Sequence, residues 1–72
     1  MKPIIHGSLT ATIGDAQWYA SSTQRAWYVI TVANSSGNRC YRHCGEPFLA
    51  TDEYRDRQGK IVWKVLPDGT CE

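Results

Sequence analysis

One short segment limits the folds open to this chain more than any other. In residues 26–33, every second side chain is apolar: Tyr28, Ile30 and Val32 share one side of an extended strand. The residues between them are mixed but still mostly apolar, so neither side of this strand suits water. A strand that is apolar on both sides is usually central in a sheet or packed against a second layer. The segment therefore predicts the middle strand of a β-sheet.

Further stretches with strand character lie on both sides of this segment. Strands are predicted over residues 4–13 and 60–66, since apolar and polar residues alternate in residues 8–13 and 60–66. Shorter strand-like runs cover residues 17–20, 39–44 and 48–55. Turn-forming residues separate these runs at intervals of about eight to twelve residues, as in all-β proteins. We expect an all-β fold, a small antiparallel sheet of five or six strands arranged as a meander, a sandwich or a small barrel. Thr51, followed by two acidic residues, leaves room for one short helical turn near residues 51–58.

The length of 72 residues predicts a single small domain over residues 1–72. Such a domain buries only about 60% of the surface of its unfolded chain, so its core is marginal. With three Trp and four Tyr, the aromatic side chains must supply part of that core. The predicted core residues are Leu9, Ala11, Ile13, Tyr28, Ile30, Val32, Ile61, Trp63 and Val65. On this assignment, Trp63→Ala costs about 3–5 kcal/mol of stability.

The sequence indicates neither a secretion signal nor a membrane span. The apolar pair at residues 4–5 is followed at once by His6 and Gly7, whereas a signal peptide needs an apolar run of about seven residues or more. No window approaches the roughly 18 apolar residues of a membrane-spanning helix. We therefore expect a cytoplasmic protein with no membrane partner.

Three cysteines, Cys40, Cys44 and Cys71, allow three interpretations. An odd number suits free, reduced thiols better than a closed disulfide framework. The second interpretation is one disulfide from Cys71 to either of the others. The third is a zinc site completed by His43 or His6. On a strand, Cys40 and Cys44 are about 13 Å apart, so zinc requires a turn between them. We therefore expect no metal or other cofactor, with zinc as the alternative.

The residues suggest no catalytic arrangement. His43 is adjacent to Cys44, but sequence neighbours on a strand point to opposite faces. The carboxylates of Asp52, Glu53 and Asp56 surround a predicted turn, and turn chemistry accounts for them without a role in acid–base catalysis. We therefore expect that the protein is not an enzyme.

Aromatic residues beside basic ones are the strongest functional signal. Trp, Tyr and Arg dominate the binding energy of protein interfaces, and similar pairs serve small β-barrels that bind single-stranded nucleic acid. A net charge of +1 favours the first reading, because nucleic-acid binding depends on phosphate contacts. We expect a non-catalytic protein-binding module: a small inhibitor, adaptor or regulatory protein of the kind that phages and mobile elements encode. A nucleic-acid-binding barrel and a zinc-stabilised module are the alternatives. The predicted binding residues are Trp18, Tyr19, Arg25, Arg42, Tyr54 and Arg55.

A second copy of the chain is a further expected partner. Unpaired edge strands of a small sheet tend to pair with other strands. Lys60 and Lys64, on the last predicted strand, could discourage that pairing. A homodimer that shares one sheet between its subunits is the other solution.

Overall fold

A computed structural model of the chain describes residues 5–72. Ile4, the first residue of the predicted first strand, lies outside the described residues. The elements are β1 (Ile5–His6), α1 (Leu9–Thr23), β2 (Trp27–Ala33), β3 (Arg39–Gly45), α2 (Glu46–Leu49), α3 (Asp52–Asp56) and β4 (Lys60–Val65). The strands form one sheet in the order β1-β3-β2-β4. β1 pairs parallel with β3, whereas β2 pairs antiparallel with β3 and with β4. The predicted all-β antiparallel fold of five or six strands is therefore wrong.

The prediction of a central strand is confirmed. β2 lies between β3 and β4, and its residues Val29 and Ile30 are fully buried on opposite sides of the sheet. Val29 packs in a cluster with Ala16 and Ala20 of α1. Ile30 packs in a second cluster, which Phe48 of α2 and a residue of α3 complete. The sheet therefore lies between α1 on one side, the α1 face, and the two short helices on the other, the α2–α3 face.

α1 occupies the residues where two strands, 4–13 and 17–20, were predicted. The Ser8 hydroxyl caps the helix by accepting a hydrogen bond of 3.1 Å from the backbone N–H three residues later. The buried residues Thr12, Ala16 and Ala20 recur every fourth position and form one stripe against the sheet. The side chains of this stripe are small and only weakly apolar. In the sequence, the strand-like alternation of residues 9–13 was therefore a stronger pattern than the helical stripe. Gly14 also lies inside the helix.

The segment that follows β3 is helical rather than extended. α2 carries Pro47 in its first turn, where a missing N–H costs nothing. α3 begins after Thr51, whose hydroxyl accepts a hydrogen bond of 3.2 Å from the backbone N–H of Tyr54. The predicted strand over residues 48–55 is therefore wrong, and the alternative of a short helical turn near residues 51–58 is confirmed.

The end of α3 sets the path of the chain into β4. The backbone N–H of Gly59 donates to the carbonyl of Tyr54 at 2.9 Å, and that of Gln58 donates to the carbonyl of Arg55 at 3.0 Å. This pair of bonds is a Schellman motif. Gln58 has the left-handed conformation, with φ 54°. Gly59 is required for a different reason: a side chain there would overlap the ring of Tyr54.

Strands were predicted correctly at residues 39–44 and 60–66, where β3 and β4 lie, but the predicted core is correct only in part. Its buried members are Tyr28, Ile30, Val32 and Val65. Ile61 and Trp63 are 51% and 37% exposed, because β4 is an edge strand that no helix covers fully. Ala11 is exposed on the outer side of α1. Leu9 and Ile13 are half-buried and pack against the core.

Candidate functional site

Four rings gather on the α1 face: Trp18 and Tyr19 from α1, Trp27 from β2 and His43 from β3. We call these four residues the aromatic surface. The ring of Tyr19 lies nearly parallel to that of Trp27, with centroids 4.5 Å apart, and to that of His43, with centroids 5.1 Å apart. Trp18 meets the Tyr19 ring edge-on at 4.9 Å. Both geometries are favourable for aromatic pairs.

Two hydrogen bonds and one ionisable pair contact the residues of the aromatic surface. The indole N–H of Trp27 donates to the Thr23 hydroxyl at 3.1 Å, and that hydroxyl donates to the carbonyl of Tyr19 at 2.7 Å. On the other side, Nδ1 of His43 lies 3.9 Å from a carboxylate oxygen of Asp15. The hydrogen bond of Trp27 and the pair of His43 with Asp15 join α1 to the sheet, whereas the hydrogen bond from Thr23 to Tyr19 lies within α1. These contacts connect the residues of three of the rings, Tyr19, Trp27 and His43, to neighbouring polar groups.

A groove adjoins the aromatic surface at Trp27. It has a volume of about 920 Å³ and opens to solvent between the end of α1 and the start of α2. Its wall is mainly apolar and includes Trp27 and Pro47. One cation, Arg25, and one anion, Glu46, also line it. The groove is therefore mixed in charge.

The structure brings three of the six predicted binding residues to one side of the molecule. Trp18 and Tyr19 belong to the aromatic surface, and Arg25 lines the adjoining groove. Trp18 is 64% exposed, more than any other large hydrophobic residue in the described part of the chain. Their residue types and their neighbours in the sequence were sufficient to select these three as binding residues.

The other three predicted residues lie across the sheet. Arg42 pairs with Ile30 and is exposed on the α2–α3 face. Tyr54 is half-buried, and its ring packs edge-on against Phe48 at 6.0 Å. Burial raises the pKa of the Tyr54 hydroxyl, with a further contribution from the nearby Cys44. Arg55 pairs with an aspartate of its own helix. The predicted six residues therefore do not form one surface.

Two members of the aromatic surface, Trp27 and His43, were not among the predicted site residues. The sequence contains part of the signal that relates them. A hairpin over residues 27–45 aligns Val29 with His43 and so places His43 diagonally across from Trp27 on one face. The contribution of Tyr19 depends on α1, which the sequence pattern concealed.

The three cysteines are free in the structure of residues 5–72. Cys40 and Cys44 belong to the cluster on the α2–α3 face, whereas Cys71 packs against the cluster on the α1 face. The sheet separates Cys71 from the other two, so the proposed disulfide and the proposed zinc ligands, with His43, are not brought together. No group of three metal-binding side chains occurs in the described residues. Burial raises the pKa of the Cys44 thiol to about 11.

Two of the five arginine side chains, those of Arg39 and Arg57, form hydrogen bonds between elements of the fold. Arg39 donates to the Thr31 carbonyl at 2.9 Å, to the Thr31 hydroxyl and to the Gln58 carbonyl. Arg57 donates through Nε to the carbonyl of Ala33 at 2.9 Å. These guanidinium groups tie the end of α3 to β2. They are therefore not arranged along a single binding face.

Two general observations complete the description. Across residues 5–72, no helix has the length and apolar character needed to cross a membrane. Comparison of the chain with protein-family models, curated proteins and solved structures gives no significant match.

Proposed function

We propose that this protein is a non-catalytic protein-binding module whose partner contacts the aromatic surface. One observation carries the proposal: Trp18 is 64% exposed, yet its ring is held edge-on against Tyr19. Exposed apolar side chains are common, but Trp and Tyr side by side are the residue types most enriched among interface hot spots. Little of the Trp18 side chain packs against the rest of the protein. Its apolar area is therefore available to a partner.

The rigidity of the surface supports this proposal. A partner that binds mobile side chains must order them, at a cost of about 0.5–1.5 kcal/mol for each side chain that is immobilised. Stacking of Tyr19 on Trp27 and His43 has already restricted these rings. Aromatic side chains also have few rotatable bonds, so they offer a large contact area at low entropic cost.

The distribution of charge favours a protein partner over a nucleic acid. Arg39 and Arg57 use their guanidinium groups for hydrogen bonds within the fold, and Arg55 pairs with Asp52. Arg25, which lines the groove that adjoins the aromatic surface, shares that groove with Glu46. Binding to single-stranded nucleic acid combines aromatic stacking with a positively charged path for the phosphates. That path is missing from the described part of this surface.

The proposal includes a mode of action and a location. A small module without catalytic groups acts by occupying a surface, as an inhibitor, an adaptor or a regulatory subunit does. We place it in the cytoplasm because its three thiols are free, and the reducing cytoplasm keeps thiols in that form.

The test compares three immobilised proteins: the unaltered chain, Trp18→Ala, and Ile5→Ala as a control. Ile5 is exposed and apolar but lies on β1, away from the aromatic surface. Proteins captured from a cell extract are identified by mass spectrometry, and each candidate is then purified and titrated calorimetrically. We expect the Trp18→Ala variant to bind the true partner at least about 30-fold more weakly, as for an interface hot spot, and Ile5→Ala to bind normally.

Stability and nucleic-acid binding distinguish the alternatives. Because Trp18 is mostly exposed, the Trp18→Ala variant should unfold at nearly the same denaturant concentration as the unaltered chain. Equal affinity of Trp18→Ala and the unaltered chain for every purified candidate contradicts the proposal. So does tight binding of a single-stranded oligonucleotide that weakens steeply with salt, because it indicates a phosphate-binding surface.

A further inference from the structure

Two adjoining cavities open on the α2–α3 face, across the sheet from the aromatic surface. The first has a volume of about 300 Å³ and the second has a volume of about 570 Å³. Arg42, Glu53 and Arg57 line both cavities, so the two spaces meet at these side chains. We call the combined space the charged cleft. Its size lies within the range of sites for small molecules, which have volumes of about 300–1,000 Å³.

The guanidinium group of Arg57 is held in place but has unused donors. Its Nε donates to the carbonyl of Ala33 at 2.9 Å, and the side chain is 30% exposed. Among residues 5–72, its two terminal nitrogens donate no hydrogen bond, and Nη1 lies 4.0 Å from a carboxylate oxygen of Glu53, beyond hydrogen-bond distance. A half-buried guanidinium group with free N–H groups favours a carboxylate, whose two oxygens match its geometry.

Charges of both signs line the cleft. Arg42 is exposed and supplies a second cation, whereas Glu53 and Asp56 supply two anions. Within the described part of the chain, neither Arg42 nor Asp56 forms an ion pair. Two cations therefore share the cleft with two anions. A ligand that carries both charges suits this arrangement better than a simple anion, because the two acidic residues would repel the anion.

The first cavity also has an apolar wall. Phe48 of α2 is half-buried and lines this cavity together with the buried residues Ile30, Val32 and Cys44. The charged residues that line both cavities lie beside this wall. An apolar group bound against Phe48 would be removed from water while a charged group of the same molecule reaches Arg57. The cleft therefore suits a small molecule with adjacent charged and apolar parts.

We infer that the charged cleft binds a free α-amino acid with an apolar side chain. The ammonium and carboxylate groups of such a molecule are attached to one carbon atom, so they can meet Glu53 and Arg57, whose charged groups lie 4.0 Å apart. The carboxylate accepts hydrogen bonds from Arg57, and the ammonium donates to Glu53. The side chain packs against Phe48. This site lies across the sheet from the aromatic surface, so its test does not depend on the proposed function.

Titrations of the full chain, followed by the NMR signals of its backbone amides, test the inference with four probes. Leucine carries all three groups. Isocaproate lacks the ammonium group, isoamylamine lacks the carboxylate and glycine lacks the apolar side chain. We expect leucine to bind with a dissociation constant of about 1 mM or below, and to shift the amide signals of residues that line the cleft. Each of the other probes should bind at least about fivefold more weakly.

Variants of the charged residues locate the site. Arg57→Gln and Glu53→Gln should each weaken the binding of leucine at least about tenfold, because each removes a charged hydrogen bond. Glu53→Gln should also strengthen the binding of isocaproate, since it removes a repelling charge. The matched control is Arg55→Gln on the same helix: Arg55 pairs with Asp52 and lines neither cavity, so leucine should bind normally.

Four results would overturn the inference. One is the absence of shifted signals at about 20 mM leucine. Isocaproate that binds as tightly as leucine shows a site for simple carboxylates, such as the C-terminus of a peptide. Isoamylamine that binds as tightly as leucine shows that the arginines hold no carboxylate. An equal loss in Arg55→Gln and Glu53→Gln indicates a general effect of charge. Circular dichroism identifies any unfolded variant, and Glu53→Gln, at an exposed position, keeps the test decisive if Arg57→Gln unfolds.

Discussion

Gly59→Ala tests how the ring of Tyr54 shapes the connection from α3 to β4. The backbone of Gly59 is outside the left-handed region, so alanine can adopt its conformation. The obstacle is space: a methyl group at Gly59 would overlap the ring atoms of Tyr54. That ring cannot simply turn away, because it also packs against Phe48 and is half-buried. We therefore expect a loss of stability that arises from crowding alone.

The magnitude follows from two opposing effects. Crowding of a packed side chain by an added methyl group costs about 1–3 kcal/mol. Replacing glycine at a compatible backbone position offsets about 0.4–1 kcal/mol of this, because the unfolded chain loses freedom. The net loss is about 1–2 kcal/mol. A domain of 72 residues has a total stability of about 4–11 kcal/mol, so the change is easily measured.

A double-mutant cycle in urea, followed by circular dichroism, isolates the contact. With a slope near 1 kcal/mol per molar urea, Gly59→Ala should lower the unfolding midpoint by about 1–2 M. In a Tyr54→Ala background the obstacle is gone, so the same substitution should be neutral or slightly stabilising. The coupling energy should be about 1–3 kcal/mol. An equal loss in both backgrounds would refute the packing of Tyr54 over Gly59.

Three further predictions concern the edge strand, the end of α1 and the buried thiol. Trp63→Ala should lower the free energy of unfolding by about 1–2 kcal/mol, well below the about 3–5 kcal/mol of a buried tryptophan. Ile30→Ala, at a buried position, should lower it by about 2–5 kcal/mol. Equal losses in denaturant melts would contradict the exposure of Trp63. Gln24→Gly should raise the melting temperature by about 3–6 °C, because Gln24 ends α1 with φ 56°, where glycine is unstrained; no rise would argue against that conformation. At pH 8, a thiol reagent should modify Cys44 last, since burial raises its pKa to about 11. Its unfolded state ionises near pH 9.0 and its folded state near 11, so up to about 2 kcal/mol of stability, present below pH 9, should be lost as the pH rises towards 11. Cys44→Ala should remove that part of the pH dependence, and an unchanged slope would contradict the assignment.

The strands could be predicted where their pattern reflected burial on both sides or regular alternation. β2 was evident because residues on both of its faces are apolar, and the structure buries both. β3 and β4 were evident from the turns that bound them. The helices were harder to predict from the sequence. α1 has a helical stripe of Thr12, Ala16 and Ala20, and small side chains give little contrast with the polar side. Its stability comes from packing against the sheet, which no local window contains.

Some residues of the candidate site could likewise be predicted from the sequence, and others could not. Trp18 and Tyr19 could be selected from residue type, since large aromatic side chains are the common anchors of interfaces. Tyr54 could not be excluded in this way, because its burial depends on the path of α3 over the sheet. Trp27 and His43 join the site only through strand register and the rotation of α1. These are relations between distant segments.

The sequence by itself determined that this chain has a central β-strand, two further strands and eight aromatic side chains. Those properties depend on side-chain type and on spacing within a few residues. Only the tertiary structure decided that residues 9–23 are a helix, that Ile61 and Trp63 face water and that Tyr19 stacks on Trp27 and His43. The physical reason is that burial of a small stripe or of an edge strand depends on what another part of the chain places against it.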